Sequence, residues 1–181
     1  MYASAILVGV ILALVLGGDL RRLASLEVRR LPWIVFSFAL PLTAPLFLRA
    51  DLDSRILPAA LTLLSYGALF YGLTANLRIP GIGAIALGSL ANLAAVAANS
   101  FRMPVRLDVF EPAVRVQEAA RLSGSLTHAE LGAGTNLSFL ADVIPWRLFA
   151  ERPSMVSIGD IIIALGAGYL VFRAAKPRCF R

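Results

Sequence analysis

The sequence predicts an all-α integral membrane protein with about five transmembrane helices and one long extracytoplasmic loop before the last helix. Three observations predict it. Apolar side chains make up 59% of the 181 residues, and the mean hydropathy of +0.78 lies well above that of soluble globular chains. Apolar runs of spanning or near-spanning length recur at about 2–18, 31–48, 56–76, 82–99 and 154–173. Positive charge concentrates at alternate connections: Arg21, Arg22, Arg29 and Arg30 follow the first run, Arg78 the third, and Arg173, Lys176, Arg178 and Arg181 the last. Basic connections stay on the cytoplasmic side. The expected placement is therefore the bacterial cytoplasmic (inner) membrane, multi-pass, with the N-terminus outside and the C-terminus cytoplasmic. Residues 1–181 read as a single transmembrane domain with no internal repeat.

The first run carries Leu, Val, Ile or Ala at almost every position and ends at Gly17 and Gly18. A signal peptide would place basic residues before the apolar stretch, whereas here they follow it. In the second run Pro32 suits a first helical turn, and Pro41 and Pro45 are expected to kink or break the helix. Residues 49–55 are charge-balanced and suit a short outer turn. The third run has Pro58 near its start, then Ser65, Tyr66, Gly67, Tyr71, Gly72 and Thr74. Small and weakly polar residues of this kind let helices approach closely in lipid. Along the fourth run Gly88, Asn92, Ala95 and Asn99 recur at steps of four, three and four, which puts them on one helical face. Two amides in hydrocarbon need partners, so this face looks into the protein, either as glue between helices or toward a ligand.

The outer loop, about 100–153, carries six Arg and six acids and so lacks the positive excess of the first connection. It contains an amphipathic segment starting at Pro112 and a Gly/Ser/Thr-rich stretch over 123–135. Its His128, the single histidine, reads as a surface residue with catalysis the lesser alternative. The single cysteine, Cys179, permits no internal disulfide and no metal site, and lipidation is its one functional alternative. No metal cluster, phosphate loop or cofactor motif is present, so no metal and no cofactor are expected. Despite a net charge of +6, no basic helix carries interleaved aromatics, which argues against nucleic acid as a partner.

Chemistry concentrates in 136–165, which holds Asp142 and Asp160. If the last helix started at 154, Asp160 would lie about 9 Å inside the outer boundary, where an ionisable group signals function. If it started after Ser157, Ser157 and Asp160 would form a capping-box-like S-x-x-D, with the carboxylate serving free backbone donors. Function requires a second acid, and Asp142 is the one placed to supply it. Two carboxylates in one low-dielectric site do not both ionise easily, so one is free to act as acid while the other activates water. Asp142 and Asp160 are thus the candidate catalytic residues. Asn92 is a candidate substrate-orienting residue and Asn99 a weaker one, read as structural.

The segments from Gly88 to Val105, NLSFLADVIP and SIGDIIIALG together resemble a bacterial multi-pass membrane protein family of unknown function, whose members carry an AN-x-x-x-MPV segment and an SxGD helix start. This chain has Ser100 and Phe101 where that family usually has Gly-Gly. A more distant resemblance is to lipoprotein signal peptidase, the type II aspartyl signal peptidase. Ala91-Asn92-Leu93 is similar to its first motif, Ala141-Asp142-Val143-Ile144 to its second and Ser157-Ile158-Gly159-Asp160 to its third. The chain departs in having no Asp-Arg after Asn92 and Ser157 in place of Asn. That resemblance implies an Asp142/Asp160 dyad at the outer leaflet acting on a lipid-anchored substrate.

Three readings follow. The first is a non-enzymatic assembly or regulatory membrane component whose long loop binds a membrane protein. The second is a membrane-embedded aspartyl hydrolase. The third is a small transporter or lipid-handling protein, which at this length would work as an oligomer. All three have the lipid bilayer as a partner.

Overall fold

The computed structural model describes residues 1–43, 56–147 and 154–176. The turn at 49–55, the end of the second run with Pro45, and Cys179, Arg178 and Arg181 lie outside the described residues. The described chain is mostly helical: α1 (Tyr2–Val15), α2 (Arg21–Ala24), α3 (Leu31–Leu42), α4 (Ile56–Thr74), α5 (Ile82–Ala97), α6 (Pro112–Ser123) and α7 (Ile158–Ala175). Two of these, α4 and α7, are long and apolar enough to cross a membrane, while α1, α3 and α5 are shorter apolar helices.

The helices form two groups. One is the α3–α4 hairpin; the other has α7 at its centre, with α1 and α5 packed against it. Tyr2 and Asp160, each near a helix start, meet at one end, and Asp19 N–H donates to the Ala175 carbonyl at the other (2.9 Å), so α1 and α7 run parallel. Gly9 makes that pairing close, because a Cβ there would collide with the Gly168 carbonyl. The residues buried between helices are largely small or polar, among them Ala13, Ser37, Ser65, Gly88, Ser89 and Asn92. Large apolar side chains such as Leu14, Phe38, Leu42, Ile56, Leu64 and Leu165 point outward. A water-soluble core has the opposite arrangement.

Basic residues gather where α1 and α7 end. Arg22 Nη1 donates to the Lys176 carbonyl (3.3 Å). The Arg29 backbone exchanges two hydrogen bonds with the Asn76 amide, and Arg30 lies over the Tyr71 ring, 4.0 Å from its centroid.

The opposite end is capped by short strands, which corrects the all-α expectation. β1 (Met103–Val105) pairs in parallel with β2 (His128–Glu130), and α6 is the crossover between them. β3 (Ile144–Trp146) pairs antiparallel with β4 (Ser154–Val156). Of the two starts considered for the last helix, the structure has the later one. Residues 154–156 are spent on pairing with β3, so α7 begins at Ile158. The amphipathic helix expected at Pro112 is α6, whose buried Leu122 packs against Val105 and Leu107.

Candidate functional site

The site is built from the start of α7. Ser157 is fully buried, and its side chain accepts from Asp160 N–H (2.9 Å) while Asp160 Oδ2 accepts from Ser157 N–H (3.1 Å). This reciprocal pair is a capping box, which satisfies two free backbone donors. The same Ser157 hydroxyl donates to Asn92 Oδ1 of α5 (2.8 Å), and Asn92 Nδ2 donates back to Asp160 Oδ1 (2.8 Å). Gly159 leaves the room this requires: a Cβ there would collide with Asn92 Oδ1. Each of Ser157, Gly159 and Asp160 therefore serves the contact with Asn92. Tyr2 completes the set, its hydroxyl donating to Asp160 Oδ1 (2.6 Å).

Asp142 arrives from the sheet. Its N–H donates to the Pro104 carbonyl (2.9 Å) and its carbonyl accepts from Arg106 N–H (2.9 Å), so it bridges β1 on the edge away from β2. Pro104 loses nothing there, since the proline has no N–H to satisfy. The carboxyl group of Asp142 is buried and its Oδ1 has no hydrogen-bond partner among the described residues. Burial, and after it the Asp160 carboxylate, push the Asp142 carboxyl up to about 7.

Asp142, Asp160 and Asn92 line one cavity of about 280 Å³, together with Ser65, Tyr66 and His128. It adjoins a larger, mainly apolar groove of about 570 Å³ between the α3–α4 hairpin and the α5–α7 pair, with Pro41, Ser65, Tyr66, Asn92 and Asp160 lining both. His128 accordingly differs from the surface residue expected. It is partly buried, with Nδ1 2.8 Å from Thr127 Oγ1, and burial and then Arg121 push it below the usual imidazole range, against the pull of Asp160.

Asn99 stands apart. The helix ends at Ala97, and Asn99 Nδ2 donates to the Ala95 and Asn136 carbonyls (2.7 and 2.8 Å) while Asn99 Oδ1 accepts from Asn136 N–H (2.9 Å). It ties the loop around Asn136 to the end of α5 and does not line the cavity.

A family model described as "Family of unknown function (DUF5317)" matches residues 25–172, most of the chain. The chain belongs to the DUF5317 family. It is also 30% identical over 115 residues to an uncharacterized protein of Thermotoga maritima, the match covering 64% of this chain and 63% of that protein, less than two thirds of its length. No solved structure matches. In this DUF5317 chain the matched stretch contains Asn92, Asp142 and Asp160, whereas Tyr2 lies before it.

Sequence reasoning missed Tyr2 as a partner of Asp160. Nothing local could have revealed a contact across 158 positions. Ser65 and Tyr66 carry a signal in the sequence, the unusual polarity of their helix, which suits both helix contact and a ligand pocket.

Proposed function

We propose that this protein is a multi-pass protein of the bacterial inner membrane, N-terminus outside, and that Asp142 and Asp160 form a hydrolytic dyad at its outer edge, as the resemblance to lipoprotein signal peptidase implies. One observation carries the reading: the buried, unpartnered Asp142 Oδ1 belongs to the cavity that Asp160 also lines. Asp160 accepts from Tyr2, Asn92 and Ser157, so it is the carboxylate of the pair, and Asp142 is the protonated acid. The outward apolar surface and the basic far end support a bilayer setting with that far end cytoplasmic.

In the reaction, a water oxygen bonds to an acyl carbon as Asp160 takes one of its protons and Asp142 gives its own proton to the carbonyl oxygen. Collapse of the resulting gem-diol returns a proton to Asp142 as the carbonyl re-forms. The proton held by Asp160 passes to the leaving amine or alcohol. Acyl compound and water thus become acid and free amine or alcohol, with both aspartates restored. Asn92 holds Asp160 and orients the substrate beside it.

The test uses the protein in phospholipid nanodiscs with a fluorogenic peptide attached to a diacylglyceryl anchor. Wild type should release the peptide, and Asp142→Asn and Asp160→Asn should each slow release by about 10²–10⁴-fold. Undiminished release by Asp142→Asn would remove the dyad. A reporter fused after Arg181 should read as cytoplasmic.

The capping box favours a second reading, a non-enzymatic assembly or regulatory component. In it Asp160 serves only to start α7 and bind α5, and Asp160→Asn unfolds the protein without any turnover having been present.

A further inference from the structure

A second buried polar atom shares the cavity with Asp142 Oδ1 and likewise has no hydrogen-bond partner among the described residues: Ser65 Oγ, on a residue only 7% exposed. A hydroxyl on a helix ordinarily donates to a carbonyl one turn back. Several in this protein do so: Ser37 to Ile34 (2.6 Å), Thr43 to Leu40 (2.6 Å), Thr74 to Tyr71 (3.1 Å) and Ser123 to Ala120 (2.8 Å). Ser65 makes no such bond. Leaving a buried hydroxyl unpaired costs free energy, and natural structures keep such groups where a ligand or ordered water completes them. One turn away on α4, Thr62 is already committed, donating to the Phe101 carbonyl (3.4 Å).

The lining of the cavity restricts what completes Ser65 and Asp142. It includes the Asp142 carboxylic acid, the Asp160 carboxylate and no Lys or Arg, so a carboxylate or phosphate would meet like charge at Asp160 with no lysine or arginine to balance it. Leu61, Val96 and Met103 supply apolar wall. An acyl carbonyl oxygen has two lone pairs and takes two donors, the number that a serine hydroxyl and a carboxylic acid offer. We propose that Ser65 is a substrate-binding residue: its hydroxyl and the Asp142 carboxyl together hold the carbonyl oxygen of an uncharged ester or amide. This rests on the hydrolytic reading above and specifies its substrate as a neutral acyl group. Ser65 acts as a donor to the oxygen on which negative charge develops, a role in which one donor is worth about 10²–10³-fold in rate.

The experiment compares wild type, Ser65→Ala, Ser65→Thr and Asp142→Asn in nanodiscs, with the diacylglyceryl-anchored peptide as substrate and with its ketone and carboxylate isosteres as ligands. Ser65→Ala should lower kcat by about 10²-fold with little change in KM and no fall in Tm, since the hydroxyl has no protein partner to lose. Ser65→Thr, which keeps the hydroxyl, should recover at least about tenfold. Wild type should bind the ketone more tightly than the carboxylate, and Ser65→Ala should bind the ketone more weakly than wild type does. Wild-type turnover by Ser65→Ala, with Asp142→Asn inactive, overturns this inference and leaves the dyad standing. Undiminished turnover by Asp142→Asn overturns the dyad itself. A Ser65→Ala protein that loses Tm and activity together, tighter binding of the carboxylate, or no binding of the ketone each overturns the role given to Ser65.

Discussion

Tyr2 and Asp160, 158 positions apart, are joined by a 2.6 Å hydrogen bond from the phenol to the carboxylate. The bond connects the beginning of α1 to the beginning of α7, so the first helix is tied directly to the Asp160 carboxylate. Asp160 Oδ1 is shared between Tyr2 and Asn92, and Oδ2 is held by the Ser157 backbone. Three separate stretches of chain thus converge on one side chain.

Tyr2→Phe should destabilise the protein by roughly 1–2 kcal/mol, the contribution of a hydrogen bond to a charged acceptor that retains some exposure. Thermal unfolding of the single variants Tyr2→Phe and Asp160→Asn and of the double variant separates this from general packing. The double variant should lose less than the two singles combined. Full additivity would mean that the phenol and the carboxylate are not coupled.

Gly159→Ala should cost roughly 1–3 kcal/mol, because the new methyl group meets Asn92 Oδ1 and the Gly88 carbonyl where α5 and α7 pack closely. Combined with Asn92→Ala, which clears part of that space, the alanine should cost less than it does alone. A Gly159→Ala protein with wild-type Tm would contradict the close approach.

The legibility of the sequence divides along physical lines. A capping box is local, so Ser157 and Asp160 could be recognised three residues apart, and the buried face at Gly88, Asn92 and Ala95 followed from helical period alone. That period misled at Asn99, which continues the same stripe on paper but lies beyond the helix, where the backbone turns through left-handed Ser100 and Phe101. The strands were hidden for a different reason. Each is three residues long, two of them have a proline at the centre, Pro104 and Pro145, and β1 finds its partner 25 positions later, so neither alternation nor propensity announces it. With the strands unseen, Asp142 could be placed at a loop end but not in the shared cavity.

Ser100→Gly should stabilise the protein by about 0.5–1 kcal/mol. Ser100 adopts φ +55° and is exposed, and a left-handed backbone costs an L-residue roughly 1–2 kcal/mol, part of which glycine returns through its greater freedom when unfolded. Phe101 has φ +60° as well, but its ring packs on the cluster of Ala95, Val96 and Met103, so Phe101→Gly should lower Tm. Equal shifts for the two variants would argue against a backbone origin.

Asp142 should make stability depend on pH in the direction opposite to a salt-bridged acid. Its carboxyl is raised from 3.8 to about 7, so between those values the folded state binds more protons than the unfolded chain. Stability from this group is therefore full below about pH 4 and is lost as pH rises through about 7. At about 1.4 kcal/mol per pH unit the ceiling is on the order of 4 kcal/mol, and relaxation around the group reduces it. Asp142→Asn abolishes this loss, so its Tm relative to wild type should rise between pH 5 and 8, readable by helical circular dichroism in detergent. In the hydrolytic reading wild-type turnover falls over the same upper range, because the acid must hold its proton. A Tm difference between the two proteins that stays constant with pH would show that Asp142 does not titrate in this window, and would remove the acid from the proposed pair.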